Sequence, residues 1–155
     1  AAVTDQKYRA KLASIERLYA EIPVVQCKGL CSASCGPIPM MQVEEIRLRK
    51  AVGRPLPLVK DGSLECSHLT DAGRCGVYES RPLICRLWGQ VDNPKMKCPH
   101  GCAPDLLTPE QSQSLIDRAI RLGGGLSKPV GRIVDAIVTQ LRKNLTENPS
   151  ATQRT

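Results

Sequence analysis

The chain has 155 residues and a formal net charge of +7, and its aromatic residues are one Trp and three Tyr, with no Phe. This length suits one small domain, but a core with so few large aromatic side chains needs a further source of stability, such as bound metal or disulfides. The sequence has no apolar run near the ~20 residues that span a bilayer. It also has no run of Lys and Arg interleaved with aromatic residues, which argues against a nucleic-acid groove.

Residues 4–22 are predicted to form an amphipathic helix. Their apolar side chains recur at steps of four and three residues, the spacing of one helical face. These side chains are Tyr8, Leu12, Ile15, Tyr19 and Ile22. Thr4 is the predicted N-cap of this helix, and Pro23 marks its end.

A second, shorter helix is predicted over residues 41–51. Pro39 and Gly53 bound it, and both residue types interrupt helices. Its outer face is charged, whereas Val43 and Ile46 are the predicted inward residues.

Residues 54–107 are expected to hold little regular structure apart from short β-hairpin elements. The turn signals are Asp61-Gly62 and Asp71-Ala72-Gly73. The candidate strands around them are residues 58–60, 64–66 and 76–78.

Two helices are predicted after the last cysteine. The first begins with Thr108 as N-cap and Pro109 at the first helical position, and it ends at three glycines, 123–125, read as a flexible joint. The second begins at residues 127–129, and its apolar stripe packs within the domain or against a partner helix. The stripe consists of Val130, Ile133, Val134, Ile137 and Leu141.

The predicted fold is therefore a small single domain, mainly α, with an irregular cysteine-rich metal-binding core and short β-hairpin elements. Its predicted parts are an N-terminal helix (1–22), the metal-binding core (23–107), a C-terminal helical pair (108–145) and a disordered tail (146–155) that lacks apolar bulk.

The cysteines are confined to one stretch of the chain. They are Cys27, Cys31, Cys35, Cys66, Cys75, Cys85, Cys98 and Cys102. Cysteines cluster in this way when they share a metal or pair as disulfides, and the compartment decides between the two. Residues 1–6 show neither the basic nor the apolar region of a secretory signal. We therefore expect reduced, metal-bound cysteines in a cytoplasmic or otherwise intracellular protein, with virion association and a secreted disulfide scaffold as alternatives.

Bound metal would also change the charge balance. Each four-thiolate site with its metal contributes about −2, so two such sites would lower the net charge of +7 to about +3. The remaining basic excess lies outside residues 61–107, and solvated helix faces account for it.

The first three cysteines follow a C-x3-C-x3-C pattern. A step of four residues suits one face of a helix or a loop that wraps an ion, so both arrangements stay open. The pattern differs from the paired C-x2-C knuckles of zinc ribbons and from the bacterial ferredoxin run. It differs as well from the C-x3-C-x2-C pattern of radical enzymes that use S-adenosylmethionine.

Three later motifs are more distinctive: C-S-H-L from Cys66, G-R-C-G-V-Y-E from Gly73, and R-P-L-I-C-R from Arg81. Together with the N-terminal cysteines they resemble the YkgJ-like cysteine-cluster family, which is described as zinc- or iron-chelating. The resemblance covers roughly residues 27–88 and implies a set of metal ligands. By position these are Cys27, Cys31, Cys35, Cys66, Cys75 and Cys85.

One ligand of the family pattern is missing from its usual place. The first cluster of the family usually reads C-x2-C-G-x-C-C, whereas here the spacing is wider and Gly36 follows Cys35. Cys98 and Cys102, in the sequence C-P-H-G-C, are the candidate replacements. The eight thiolates would suffice for two four-cysteine sites, or for one site with surplus free cysteines.

Two arginines bracket Cys85. Arg81 and Arg86 are expected to donate hydrogen bonds to thiolate or sulfide and to offset negative charge at a bound cofactor. The alternative is that both are ordinary surface arginines.

Other residues near the cysteines have two interpretations each. His68 and His100 are either further ligands or hydrogen-bonding loop residues. Tyr78 and Trp88 are expected to pack as a small core around the site rather than to relay electrons.

Zinc and iron both accept four thiolates. The wide, irregular spacing and the flanking arginines favour an iron-sulfur cluster, 4Fe-4S, over zinc, in a small protein with a redox, electron-transfer or metal-handling role. The sequence offers no catalytic base or substrate pocket, which favours a protein that is not an enzyme on its own.

The alternative function is a zinc-stapled interaction module. Its basic helices and C-terminal stripe would dock on a macromolecular assembly such as a nucleoprotein particle or virion. The partner in either case is a protein or larger assembly bound through the C-terminal helix. Nucleic acid is a further candidate partner and a membrane is not.

Overall fold

A computed structural model describes residues 2–36, 38–53 and 65–127 of the chain. Within these ranges there are four α-helices, two short 3₁₀ turns, isolated β-bridges and no sheet. The helices are α1 (Ala2–Tyr19), α2 (Gln42–Val52), α3 (Leu83–Leu87) and α4 (Pro109–Leu122), and the 3₁₀ turns are Ser32–Ser34 and Tyr78–Ser80. The predicted, mainly helical fold is thus confirmed for the described part. None of its helices combines the length and the apolar character needed to cross a membrane.

Helix α1 is the predicted N-terminal helix, and backbone hydrogen bonds continue it by one turn to Ile22. It already includes Ala2, so the N-cap predicted at Thr4 is wrong. The predicted apolar face is the face that packs inward. It consists of Tyr8, Leu12, Ile15, Tyr19 and Ile22, together with Leu18.

Helix α2 matches the second predicted helix, but one of its two predicted inward residues is wrong. Val43 is buried, whereas Ile46 is 42 % exposed and Leu48 is buried instead. The buried face runs through Glu44 and Leu48, which are about one helical turn apart. Ile46 lies about 200° around the helix from Glu44 and therefore faces solvent.

The predicted β-hairpin elements are not supported. Residues 58–60, the predicted turn at Asp61-Gly62 and residue 64 lie outside the described residues, while residues 76 and 77 form a turn and Tyr78 begins the 3₁₀ turn. The predicted turn at residues 71–73 is present, but the chain on either side of it pairs through a single bridge, between Leu69 and Cys75.

A local turn explains why pairing stops at this bridge. The Leu69 N–H donates to the Cys66 carbonyl at 3.2 Å rather than across to a second strand. A backbone donor that is used locally cannot extend a ladder.

One aliphatic cluster holds the four helices together. Its buried members are Ile15, Leu18, Ile22, Met41, Val43, Leu83, Leu87, Val91, Leu115 and Ala119. Burying one Leu or Ile side chain contributes roughly 1.5–3 kcal/mol. Aliphatic side chains from every helix thus replace the large aromatic residues that the composition lacks.

A buried carboxylate joins three of the helices. Glu44 is 1 % exposed, and it accepts hydrogen bonds from the Tyr19 hydroxyl at 2.6 Å, the Met41 N–H at 3.0 Å and the Leu83 N–H at 2.7 Å. Burial raises the pKa of Glu44, although these donors act in the opposite direction. The guanidinium of Arg86 lies 4.2 Å from the centre of the Tyr19 ring. Sequence analysis missed this network.

Helix α4 begins as predicted. The Gln111 N–H donates to the Thr108 hydroxyl at 3.2 Å, and the Thr108 N–H donates to the Gln111 side-chain oxygen at 2.8 Å. With Pro109 at the first helical position, this reciprocal cap fixes the start of the helix.

The three glycines after α4 do not form the predicted flexible joint. The carbonyls of Gly123 and Gly125 accept hydrogen bonds from the N–H groups of Val43 and Gln42, at 3.2 and 3.0 Å. First-turn N–H groups of a helix lack intrahelical partners, and the glycine carbonyls satisfy two of them in α2. The predicted last helix with its apolar stripe, and the predicted tail, lie outside the described residues.

Candidate metal centre

The eight cysteines are free thiols, and all lie in described parts of the chain. Cys27 is exposed and the other seven are partly buried. We group them into two sets by the neighbouring thiolates that act on the pKa of each cysteine. The inner set is Cys35, Cys66, Cys75 and Cys85, and the outer set is Cys27, Cys31, Cys98 and Cys102.

Helix α3 places Cys85 at the boundary between the aliphatic core and the cysteine-bearing loops. Leu83 and Leu87 are fully buried and pack in the core. Cys85 is two residues from each of them and so lies on the opposite side of this short helix. Burial, and then the charges of Cys66 and Cys75, raise the pKa of Cys85 to about 12.

Backbone contacts bring the other three inner cysteines together from separate loops. The Cys66 N–H donates to the Cys35 carbonyl at 3.2 Å. Beyond Cys66 the chain turns back, so that Leu69 bridges to Cys75 and the Gly76 N–H donates to the His68 carbonyl at 2.8 Å. These contacts bring the backbone segments that carry Cys35, Cys66 and Cys75 together.

The inner sulfurs also lie within electrostatic reach of one another. Burial first, and then the charges of Cys66, Cys31 and Cys75 in that order, raise the pKa of Cys35. The charge of Cys75 acts in the same direction on the pKa of Cys66, which burial also raises. The charge of Cys35 also raises the pKa of Cys85. Each pair within the inner set is therefore within electrostatic reach.

Two backbone donors lie beside the sulfur of Cys66. The His68 N–H donates to it, the Leu69 N–H donates to the Cys66 carbonyl at 3.2 Å beside it, and both groups lower the pKa of Cys66, which partly offsets the effect of burial. Donors of this kind stabilise a thiolate, and hydrogen bonds to sulfur tune bound iron-sulfur clusters.

The outer set contains a second sulfur with backbone donors. The N–H groups of Cys102 and His100 donate to the sulfur of Cys98 and lower its pKa, and the Gly101 N–H donates to the Cys98 carbonyl at 3.4 Å. The loop from Cys98 to Cys102 turns through Gly101, whose φ is +64°. A left-handed residue is needed at this point, and glycine adopts it without steric cost.

Cys31 belongs with Cys27 to the other half of the outer set. The Trp88 indole N–H donates to its sulfur. Burial, and then the charges of Cys27 and Cys98, raise the pKa of Cys31. Cys27 and Cys98 thus lie within electrostatic reach of Cys31.

The two sets are neighbours. The Arg74 guanidinium donates to the Lys28 carbonyl at 3.2 Å and covers Gly29, where a Cβ would lie within 1.8 Å of it. The charges of Cys31 and Cys27 also raise the pKa of Cys35. The predicted C-x3-C-x3-C segment is thus a loop that is shared between the two sets.

The donors suit a thiophilic metal, but the sulfurs do not form a preformed coordination shell. In the described ranges, no group of three or more His, Cys, Asp or Glu side chains is arranged so that it could hold a metal ion. Four thiols with backbone N–H donors fit zinc or an iron-sulfur cluster by donor type. Metal binding would therefore require the sulfurs to converge from their present positions.

The two arginines beside Cys85 lie in different surroundings. The charge of Arg81 lowers the pKa of Cys85, and its guanidinium stacks 3.6 Å from the centre of the Tyr78 ring. Arg86 donates to the carbonyls of Arg81 and Glu79, at 2.8 and 2.7 Å, and stacks on Tyr19. A role for Arg86 at a bound cofactor stays a prediction.

Tyr78 and Trp88 do not form a buried core around the cysteines. They are 38 and 37 % exposed, and neither belongs to the aliphatic cluster. Tyr78 supports Arg81, while Trp88 donates to a sulfur. Sequence analysis missed the second role, which the position of Trp88 three residues after Cys85 does not reveal.

The two histidines act through their backbones. Both His68 and His100 donate a backbone N–H to a cysteine sulfur. Burial lowers the pKa of His68, and its Nδ1 is buried without a hydrogen-bond partner among the described residues. His100 is exposed. The interpretation as hydrogen-bonding loop residues accounts for these contacts.

A helical domain that presents eight free, clustered thiols belongs to the class of cysteine-rich metal-chelating proteins. The chain belongs to the CxxCxxCC family, described as "Putative zinc- or iron-chelating domain", whose model matches residues 26–103. This match confirms the resemblance to the YkgJ-like cysteine-cluster family and supports metal binding, by zinc or iron. No curated protein and no solved structure matches the chain.

Proposed function

We propose that this chain is a small iron-sulfur protein in which the inner set holds one 4Fe-4S cluster and serves a redox or electron-transfer role. The observation that carries the proposal is that backbone contacts bring Cys35, Cys66 and Cys75 together, with all four inner sulfurs within electrostatic reach of one another. Four thiolates are the usual ligands of such a cluster.

The spacing of the inner set favours a cluster over a single zinc ion. Structural zinc sites usually take their ligands in close pairs such as C-x2-4-C. The four inner cysteines come instead from four separate segments, and no two of them form such a pair. A larger group suits ligands that approach from four directions.

The residues around the inner set would tune the bound group. When bound, a 4Fe-4S cluster supplies one-electron redox chemistry, and hydrogen bonds to sulfur, charge and solvent exposure set its potential. His68 would donate its N–H to the Cys66 thiolate, and Arg81 would offset negative charge near Cys85. All four cysteines are partly exposed, which suits exchange of electrons with a partner at the surface.

Metal and sulfide content tests this proposal. The protein is purified without oxygen, and iron, zinc and acid-labile sulfide are measured together with the visible absorption spectrum. We expect about four iron and four sulfide per chain, with a broad visible band that bleaches on reduction. Zinc without sulfide or colour would overturn the proposal.

Paired variants test the assignment to the inner set. Cys66→Ser with Cys75→Ser should abolish iron and sulfide, because a cluster that keeps only two of its four thiolates is not retained. Ser32→Ala with Ser34→Ala, in the neighbouring 3₁₀ turn, is the matched control and should keep both. Retention of iron and sulfide by the cysteine variant would exclude the inner set as the site.

The second candidate function is a zinc-stapled module that docks on a macromolecular assembly such as a nucleoprotein particle or virion. The outer set favours it, because its two C-x3-C pairs have the spacing of a structural zinc site. This function predicts zinc without sulfide throughout and binding to an anionic partner that weakens as salt rises. Binding of a double-stranded DNA or RNA probe, titrated at two salt concentrations, tests the nucleic-acid version.

A further inference from the structure

We propose that Arg86 and Arg47 are positioning residues for metal binding, because together they hold the backbone turn that separates Cys75 from Cys85. The inference rests on metal binding by these two cysteines, which the proposed function shares, but not on the kind of metal. It gives Arg86 a role at the backbone of the turn, in place of the predicted contact with a bound cofactor. Neither arginine is among the metal ligands that the family resemblance implies.

Both arginines donate to one backbone oxygen, the carbonyl of Glu79. Nη2 of Arg86 lies 2.7 Å from this oxygen, and Nη2 of Arg47 lies 3.2 Å from it. Glu79 is the middle residue of the 3₁₀ turn Tyr78–Ser80, whereas Arg47 lies in α2 and Arg86 in α3. Hydrogen bonds from a charged donor are stronger than neutral ones, so two helices hold the turn at one point.

Arg86 also connects the turn to the helix that carries Cys85. Its Nε donates to the Arg81 carbonyl at 2.8 Å, while its Nη2 donates to the Glu79 carbonyl. The guanidinium is planar and its donors form a rigid fork, so it fixes the two carbonyls relative to each other. Cys85 directly precedes Arg86 in α3. The position of Cys85 relative to the turn therefore depends on this side chain.

Tyr19 supports both guanidinium groups from α1. The centre of its ring lies 4.2 Å from the guanidinium of Arg86 and 5.6 Å from that of Arg47, within the range of cation–π contacts. The Tyr19 hydroxyl donates to Glu44, which also accepts the Leu83 N–H at the start of α3. The ring and the start of the helix thus share one buried acceptor, and this fixes the surface on which Arg86 stacks.

The arrangement has costs that packing alone does not explain. Two positive charges converge on one oxygen, and the carboxylate of Glu16 lies 3.9 Å from Arg47. Nη1 of Arg47 is buried without a hydrogen-bond partner in the described part of the chain, and an unpaired buried donor lowers stability. Local costs of this kind are typical of functional sites. They point to a role in placing the turn rather than in stabilising the fold.

Holding the turn reduces the disorder that metal binding has to remove. The sulfurs must converge before they can share a metal, and ordering a segment on binding costs conformational entropy. A segment that is ordered in advance therefore binds more tightly. Cys75 is held at one end of this segment by its bridge to Leu69, and Cys85 is held at the other end in α3.

The test measures metal binding at Cys75 and Cys85 themselves. Reduced, metal-free protein is treated with iodoacetamide at a series of free Zn²⁺ concentrations set by a chelator buffer, and mass spectrometry follows the alkylation of each cysteine. In Arg86→Gln, the free Zn²⁺ that half-protects Cys75 and Cys85 should rise about 10- to 100-fold, the usual effect of losing a residue that supports metal ligands. Alkylation of Cys98 and Cys102 should match the wild type at each Zn²⁺ concentration.

Three further variants sharpen this test. Arg47→Gln should raise the required Zn²⁺ by roughly 2- to 12-fold, because it removes one longer bond to the same carbonyl. Arg86→Lys should fail to restore protection, since Lys keeps the charge but lacks the fork that reaches two carbonyls. Arg49→Gln is the matched control on α2 and should behave as the wild type, because Arg49 pairs with Glu45 at the surface.

Circular dichroism of the helices checks that each variant folds. If Arg86→Gln does not fold, Arg47→Gln carries the test.

The outcomes separate this inference from the proposed function. A shift confined to Cys75 and Cys85 supports the inference, even if the purified protein contains no iron or sulfide and the proposed function fails. Wild-type protection in Arg86→Gln overturns the inference and leaves a protein with iron and sulfide in agreement with the proposed function. Recovery in Arg86→Lys would show that Arg86 acts by its charge and would overturn the inference too. An equal shift at every cysteine, or wild-type Cys75 and Cys85 that Zn²⁺ does not protect, has the same result.

Discussion

In the helical core, aliphatic side chains from α1, α2, α3 and α4 pack on one another, and a buried carboxylate ties three helices together. In the cysteine loops, residues 23–36, 65–81 and 92–106, the stabilising contacts are backbone turns and hydrogen bonds to sulfur. Every buried aliphatic side chain of the described residues lies outside these loops. We therefore expect the core to stay folded without metal and the loops to need a bound group to fix them.

Metal removal should give the largest effect. It should loosen the cysteine loops and leave the helical core folded. Structural zinc contributes about 10 kcal/mol or more of apparent binding free energy. We expect chelation under reducing conditions to lower amide-exchange protection in residues 65–81 and 92–106 at least about a hundredfold, while α1 and α4 keep theirs. Hydrogen exchange followed by mass spectrometry measures both regions in one sample.

Restoring the metal is the control for chelation, and it should return the protection of the loops. Equal loss of protection in α1 and in the loops would mean that the core depends on the metal after all. The division between the two regions would then be wrong.

Leu18→Ala should destabilise the helical core without changing metal binding. Leu18 is 2 % exposed, and its truncation leaves a cavity that costs about 2–5 kcal/mol of unfolding free energy. Leu122→Ala is the matched control, since Leu122 is 41 % exposed and its loss should change stability by no more than about 0.5 kcal/mol. Urea denaturation measures both variants.

Metal content sharpens this second prediction. Both leucine variants should retain wild-type iron and zinc, because Leu18 lies in α1, away from the cysteines in the sequence and in the core. Loss of metal in Leu18→Ala alone would show that core packing and the cysteine loops form one cooperative unit.

Glu44→Gln should lower the free energy of unfolding by about 1–3 kcal/mol, because it weakens the junction of three helices. Three donors point at the two carboxylate oxygens, and the Gln side chain offers one oxygen, so at least one donor would face an NH₂ group. Glu45→Gln is the control on the same helix. Glu45 pairs with Arg49 in an i,i+4 ion pair at the surface, and its loss should cost about 0.3–0.5 kcal/mol.

The pH dependence of stability provides a second measurement on Glu44. Burial raises its folded pKa above the ordinary value of 4.5, so the folded state holds its proton more tightly than the unfolded chain. Stability from this group is complete below the ordinary pKa and falls as pH rises through the raised value. Glu44→Gln should lack this slope between those two pH values, and an unchanged slope would contradict the prediction.

Local sequence signals predicted much of the core. Helical periodicity indicated α1, and the Thr108-Pro109 cap indicated α4, because both depend on residues close in sequence. The burial of Glu44 was missed because a charged residue on a short, charged helix is usually solvated. Its position three residues after Met41, as in a capping box, was the available signal.

The cysteines could be found from the sequence, but their division into two sets could not. The sequence spacing places Cys27, Cys31 and Cys35 in one group. In the structure the loop turns at Ser32–Ser34, and the Cys35 carbonyl accepts a hydrogen bond from the Cys66 N–H. That turn and the contact with Cys66 are tertiary features without a local signature. The two C-x3-C pairs, at 27–31 and 98–102, were the one signal in the sequence for the outer set.

Trp88→Phe should have the smallest effect, and it tests a single hydrogen bond at the edge of the cysteine loops. Phe keeps an aromatic ring but lacks the indole N–H that donates to Cys31. A hydrogen bond of this kind contributes about 0.5–1.5 kcal/mol, so zinc affinity in a chelator competition should fall roughly 2- to 12-fold. Tyr78→Phe is the control at similar exposure, and it should leave zinc affinity unchanged because Tyr78 supports Arg81 instead. Iron content should be equal in both variants, since Cys31 belongs to the outer set. If Trp88→Phe lowered iron rather than zinc affinity, Cys31 would belong with the inner cysteines and the boundary between the two sets would move.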